Sequence, residues 1–243
     1  MSIYIQSELT DHYYSHGFGA LFNKALNLCL MNYSKTGDFC VKIDDQQINN
    51  LFDVQLRGEC YPTAKKDLIF AKAPDTDAFT NRLIYQNIFQ IKREILDKLE
   101  LKRQDLISPN TLGIHARGTD KATEYPRLAI GKICETIKYF IDSHGISQIF
   151  LATDDYYFID MLQNDSRIKA FGLSIVIDKD ATISHNNEPI HHDFRNRTKI
   201  NFDALSAAYL LSKCNYAAYC ESNLSKMAIA MADESQTFIQ MQP

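Results

Sequence analysis

The sequence predicts an α/β fold built on a parallel sheet, on three observations. In the second half of the chain, short apolar runs alternate with longer segments of helical periodicity. The polar motifs fall at or just beyond the ends of those runs, where a parallel sheet collects its ligands. The composition is that of an ordinary soluble globular protein, with 243 residues of which 45% are hydrophobic and 23% charged.

Taken in order, the elements begin with a polar, aromatic lead-in that ends in Ser15-His-Gly-Phe-Gly19. Residues 20–33 place Leu21, Phe22, Ala25, Leu26, Leu28, Cys29 and Leu30 at helical spacing. Residues 39–43 (Phe-Cys-Val-Lys-Ile) read as a strand closed by Asp44-Asp45. Residues 46–79 carry no assignable pattern. One helix is expected over 80–99, on Leu83, Ile84, Ile88, Ile91, Ile95, Leu96 and Leu99. The charged stretch 100–110, ending in Ser-Pro-Asn, reads as a boundary or hinge.

Beyond it the alternation is clearer. Residues 112–115 form a short strand, and 128–144 a helix that Gly145 closes. Residues 148–153 form a strand, 156–164 a short helix and 173–178 another strand. A polar tract over 179–199 shows no element, and its His191-His192-Asp193, with Arg195 and Arg197, reads as a loop over the cleft and not as a metal site. Residues 202–212 are helical, 216–220 a strand and 224–232 a helix.

A net charge of −4 argues against a broad electrostatic grip on nucleic acid or an anionic membrane. The first fifteen residues lack a signal-peptide pattern, and no apolar run reaches membrane-spanning length. The six cysteines include no Cys-x-x-Cys pair, so a reducing, cytoplasmic setting is expected.

Three motifs carry the chemistry. In His115-Ala-Arg-Gly-Thr-Asp-Lys121, an arginine just past a strand end offers a planar fork of donors to a phosphate. Lys121 adds a point charge, and Asp120 can orient either cation or cap the next element. In Ile149-Phe-Leu-Ala-Thr-Asp-Asp155, a buried strand delivers Asp154 and Asp155 to its end. There they could cap the following helix, touch a base or ribose, or hold a divalent cation. In Glu221-Ser-Asn-Leu-Ser-Lys226, Ser222 or Asn223 can cap a helix whose first amides face an anion.

Together these stretches resemble the donor-site motifs of the fucosyltransferase superfamily, in particular the α1,6-fucosyltransferase and nodulation-type branch. That branch reads His-x-Arg-Arg-Thr-Asp-Lys followed by a glutamate, matched here by His115, Arg117, Thr119, Asp120, Lys121 and Glu124. Gly118 stands where the branch has its second arginine, and Glu124 follows Lys121 by three residues instead of four. Residues 203–215 resemble the family's helix–loop segment, with Ala207 where an aspartate commonly recognises guanine and Asp203 one turn earlier. The resemblance covers residues 110–232 well and 15–45 weakly.

The resemblance implies the GT-B arrangement of two facing Rossmann-like domains with parallel sheets. Residues 1–105 would form the acceptor side and 106–243 the nucleotide-sugar side. It implies an inverting, metal-independent transfer of fucose from GDP-fucose to a hydroxyl of a glycan, with another donor such as a UDP-pentose or a non-catalytic relative as alternatives. Arg117, Lys121 and Glu124 would be catalytic: Arg117 on the diphosphate, Lys121 assisting, Glu124 as base. The nucleotide sugar would be held by His115, Arg117, Asp120, Asp154, Asp155, Asp203, Ser222, Asn223 and Ser225. No cofactor, metal or nucleic-acid partner is implied.

Overall fold

A computed structural model of the chain describes residues 5–6, 17–36, 43–44, 46–54, 78–118, 127–185, 190 and 194–242. The second half is dominated by a five-stranded, wholly parallel sheet. In chain order the elements of the first half are β1 (Ile5–Gln6), α1 (Phe18–Thr36), β2 (Ile43–Asp44), α2 (Gln46–Leu51), β3 (Phe52–Val54), α3 (Ala78–Ile88), β4 (Phe89–Ile91) and α4 (Arg93–Leu106). The second half follows with β5 (Thr111–Ala116), α5 (Ile130–His144), β6 (Gln148–Thr153), α6 (Tyr156–Asn164), α7 (Ser166–Ala170) and β7 (Ser174–Val176). It closes with α8 (Arg197–Leu211), β8 (Tyr216–Tyr219), α9 (Asn223–Met231) and β9 (Thr237–Gln240).

The sheet order is β7-β6-β5-β8-β9. The chain winds outward from β5 through β6 to β7, then crosses back to β8 and winds the other way. This reversal puts a topological switch point between the carboxyl ends of β5 and β8, the place where open parallel sheets hold ligands. All six residues of β5 are buried, as a central strand covered on both faces requires.

Alternation along the strands divides the interior into two layers. Leu112, Ile114, Ile149 and Leu151 pack with Ile133, Ile137 and Phe140 of α5 and Phe158 of α6. Phe150 and Ala152 face the other way, toward α8 and α9 and toward Phe22, Phe52 and Phe89 of the first half. That second layer is one continuous cluster running across residue 105, with Phe22 5.5 Å from Phe52 and 5.2 Å from Phe89 between ring centroids. Among the described residues, the first half contributes two short ladders, β1 with β2 in parallel and β3 with β4 antiparallel.

One expected element divides. Where periodicity predicts a single helix over 80–99, the chain forms α3, then β4, then α4. Phe89 and Ile91 point inward and Gln90 outward, and β4 pairs with β3. Burial of those two side chains against a neighbouring strand outweighs helical propensity. Charged α4 continues to Leu106 through the stretch read as a hinge, anchored by fully buried Leu99. Helix α8 begins at Arg197, within the tract read as lacking an element. Residues 39–42 of the strand expected over 39–43 lie outside the described residues, as do 191–193.

Candidate donor site at the carboxyl end of the sheet

Strand β5 ends at Ala116 and delivers Arg117 to the switch point. On the adjacent strand, β8 ends at Tyr219 beside His115, and Ser222 caps α9. The main chains meet here through the Cys220 amide, which donates to the His115 carbonyl at 3.1 Å. The His115 ring is buried, and its pKa is held down to about 3 by burial and then by the Arg117 charge. A neutral imidazole is therefore the resident form. Burial pushes the neighbouring Cys220 thiol up to about 11, so it is protonated near neutrality.

The cleft over these strand ends holds about 850 Å³ including its open mouth. His115, Arg117, Asp154, Asp203 and Asn223 all line it, so five of the residues singled out in the sequence converge. Its other walls are Gly17 to Ala20, which open α1, and the Ile200, Ala204 and Ala207 face of α8. Ala204 and Ala207 fall within the helix expected over 202–212, whereas Ile200, Ala181 and Thr182, which also line the cleft, lie outside any expected element.

Two helix N-termini meet at this cleft. Helix α9 is closed by a reciprocal capping box, in which the Ser225 amide donates to Ser222 Oγ at 3.1 Å and the Ser222 amide to Ser225 Oγ at 2.9 Å. Both serines are buried, and their side chains are spent on the cap; it is Asn223 and Leu224 that face the cleft. Helix α1 starts against the same place. A Cβ at Gly19 would stand 3.1 Å from the Asn223 carbonyl carbon and 3.1 Å from the Leu224 nitrogen, so glycine permits the approach. Asn23 Nδ2 fixes it by donating to the Asn223 carbonyl at 2.9 Å. First-turn amides lack partners within their own helix and carry partial positive charge. Two such ends beside a guanidinium make an anion site.

The carboxylates divide by role. Asp203 Oδ2 accepts from the Thr182 amide at 2.9 Å, the Thr182 hydroxyl at 2.7 Å and Lys199 Nζ at 2.7 Å, and so pins the segment after β7 to the cleft wall. Asp154 Oδ1 accepts from the Gly118 amide at 3.5 Å. Asp155 is not at the cleft: its Oδ1 caps α6 through the Tyr157 amide at 2.9 Å, and its Oδ2 pairs with Arg127 at 3.0 Å. Asp120, Lys121 and Glu124 lie outside the described residues. Among the described residues, no group of three His, Cys, Asp or Glu side chains is placed to hold a metal ion. No described helix is long and apolar enough to cross a membrane.

No protein-family model and no curated protein matches the chain. Solved structures do. The NodZ α-1,6-fucosyltransferase co-crystallised with GDP matches at 14% identity and TM-score 0.57, over 95% of this chain and 92% of that one. The same enzyme soaked with GDP-fucose gives a TM-score of 0.56 over the same shares. Selenomethionine NodZ from Bradyrhizobium gives 0.57 at 14% identity, again over 95% and 92%. The chain has the GT-B-like fold of the NodZ fucosyltransferase. POFUT1 in complex with GDP-fucose also matches, at 11% identity and TM-score 0.45, over 70% of this chain and 51% of that one. The chain therefore spans about half the length of POFUT1. At such identities it is the NodZ fold that is shared.

Proposed function

We propose that this protein is an inverting, metal-independent glycosyltransferase that moves fucose from GDP-fucose to a hydroxyl of a glycan. The observation that carries the reading is the convergence of Arg117 with the N-termini of α1 and α9 on one cleft at the sheet's switch point. A diphosphate has the charge and the acceptor oxygens that a guanidinium and helix N-termini can hold. NodZ, whose fold this chain shares, has been solved with GDP and with GDP-fucose.

In this reading Arg117 binds the diphosphate and stabilises it as it departs, and the amides of the two helices share that charge. Lys121 assists and Glu124 takes the proton of the acceptor hydroxyl. Asp120 orients the cations. His115, buried and neutral, forms the floor beside the nucleotide. Asp154, Asp203 and Asn223 contact the donor from the cleft wall. Ser222 and Ser225 act on the phosphates indirectly, by holding the α9 amides in place. The protein works on soluble nucleotide sugar in the cytoplasm, with residues 1–105 shaping the acceptor side.

One observation favours a second donor. Ala207 lines the cleft, and Asp203, one turn away, already accepts three hydrogen bonds on Oδ2. A base other than guanine, as in a UDP-pentose, would suit such a wall. Metal-free calorimetry of GDP and UDP on wild type and Arg117→Ala separates the readings. Tight GDP binding that weakens at least ~30-fold in the variant is expected, the loss typical of a buried charge partner. Preference for UDP moves the conclusion to the second donor, and binding of neither ends both. Glu124→Gln should then retain GDP affinity and lose roughly 10²–10⁴-fold in turnover; unchanged turnover would mark a binding protein and not an enzyme.

A further inference from the structure

A second groove opens on another face of the first turns of α8. Thr198, Lys199 and Phe202 face it, whereas Ile200, Asp203 and Ala204 face the donor cleft. Its other walls are the end of α2, at Asn50 and Leu51, and the start of α4. It holds about 1270 Å³ including its open mouth.

Bonds that need no ligand tie these walls together. The Lys92 amide donates to the Leu51 carbonyl at 3.0 Å, joining α4 to α2. Gln47 Oε1 accepts from Arg197 Nε at 3.1 Å and from Asn201 Nδ2 at 2.9 Å, joining α2 to α8. The groove is therefore formed before anything enters it, which lowers the cost of binding.

Its charge is one-sided. Lys92, Lys98, Arg195 and Lys199 line it against one carboxylate among the described residues, Glu94, in a chain of net charge −4. Lys199 is held by Asp203 at 2.7 Å. Asp97 of α4 is taken by Arg93 at 2.9 Å, and Lys92 and Lys98 have no ion-pair partner among the described residues. A concave wall of one sign concentrates ions of the other. Between the cations, Asn50, Asn196 and Thr198 offer two amides and a hydroxyl, and Leu51, Ile95 and Phe202 offer a carbon surface. An acidic sugar chain answers all three: carboxylates for the cations, hydroxyls for the amides, and a C–H face for the carbon.

We propose that this groove binds an acidic oligosaccharide, with uronate carboxylates on Lys92 and Lys98 beside Arg195. The groove and the donor cleft share the first turns of α8, so the bound chain is an arm of the acceptor. That role rests on the transferase reading; the binding does not.

The probe is a hexamer of galacturonic acid, titrated calorimetrically into the full chain. Chitohexaose supplies the sugar without the charge, and hexa-aspartate the charge without the sugar. The galacturonate hexamer should bind at least ~10-fold more tightly than either. Equal binding of hexa-aspartate would leave only a cationic surface, and equal binding of chitohexaose would make the charge irrelevant; each overturns the proposal.

The double change Lys92→Gln with Lys98→Gln should weaken hexamer binding ~10-fold, the scale of two solvent-facing charge pairs, and keep GDP affinity within about 3-fold. Should that variant fail to fold, Arg195→Gln should still weaken the hexamer by ~3-fold. Lys132→Gln with Lys138→Gln removes the same charge from exposed positions of α5 and should leave hexamer binding within about 2-fold. An equal loss in this control would overturn the proposal by making the effect one of net charge. In saturating GDP, and in Arg117→Ala, the hexamer should keep its affinity within about 3-fold. Displacement by GDP would place the hexamer in the donor cleft and overturn the proposal. If wild type does not bind GDP, the transferase reading fails and the acceptor role with it, while the hexamer titrations still decide the groove.

Discussion

His115 ties a single buried ring to the pH dependence of the whole chain. Its folded pKa, held down to about 3, lies below the 6.5 of an exposed imidazole. Between those values the unfolded chain binds a proton that the folded one refuses, so stability falls as pH drops through that window, by about 1.4 kcal/mol per pH unit. Urea titrations at pH 7 and pH 5 should show the loss, and His115→Asn should remove most of the slope. At the same scale, Gly118→Ala should destabilise, whereas Gly131→Ala should be neutral or stabilise by ~0.5–1 kcal/mol, since that helical position has room for a methyl group. Arg117 stood out in the sequence because a strand end followed by a basic fork is a chemical pattern, and His115 through the family resemblance; the fold brings both to the cleft. The role of Asp155 was not legible, because its letters suit a cap first, but also a ribose contact or a metal ligand. Only the distances to Tyr157 and Arg127 distinguish these.

At the scale of elements, the capping box of α9 does two things at once. It satisfies the Ser222 and Ser225 amides and fixes the first turn, whose Asn223 and Leu224 line the cleft. Ser222→Ala should cost about 1 kcal/mol, within the usual 0.5–2 for a lost N-cap, read from denaturant midpoints. It should also weaken GDP binding, although the Ser222 side chain never reaches the cleft. Adding Ser225→Ala should cost less than the sum of the single changes, because each serine bonds the other's backbone. The alternating strands and helices of residues 111–231 were read correctly in type from periodicity, with boundaries off by a few residues, except for α7 (Ser166–Ala170), which no pattern announced. The division of 80–99 was not legible, since Ile88, Phe89 and Ile91 fit a helical stripe as well as a strand. The pairing of Phe52 with Ile91 that decides the matter is a non-local event. Helix α8 lacks a one-sided pattern because it is buried along much of its circumference, including Asn201, Asp203 and Ser206.

At the scale of the molecule, the aromatic cluster of Phe22, Phe52 and Phe89 belongs to the same apolar layer as Phe150 of the sheet and Met227 of α9. The two halves should therefore melt together. Phe22→Ala should cost about 3–5 kcal/mol and lower a single calorimetric transition without splitting it. Two separated transitions would show that the halves fold independently. A layer that joins residues far apart in sequence leaves no local signature, which is why the sequence marks a hinge near residue 105 where the structure has continuous packing.

The approach of α1 to α9 at Gly19 has an energetic side beyond its fit. Two positive helix ends and a guanidinium held side by side favour an anion among them, each helix end by about 0.3–1 kcal/mol. Packing of the aromatic layer holds them there regardless. Inorganic pyrophosphate alone should thus raise the thermal midpoint, and more at low ionic strength than at high. Arg117→Ala should abolish most of that rise. The anion would then act as a keystone, locking an arch that the apolar layer has already built.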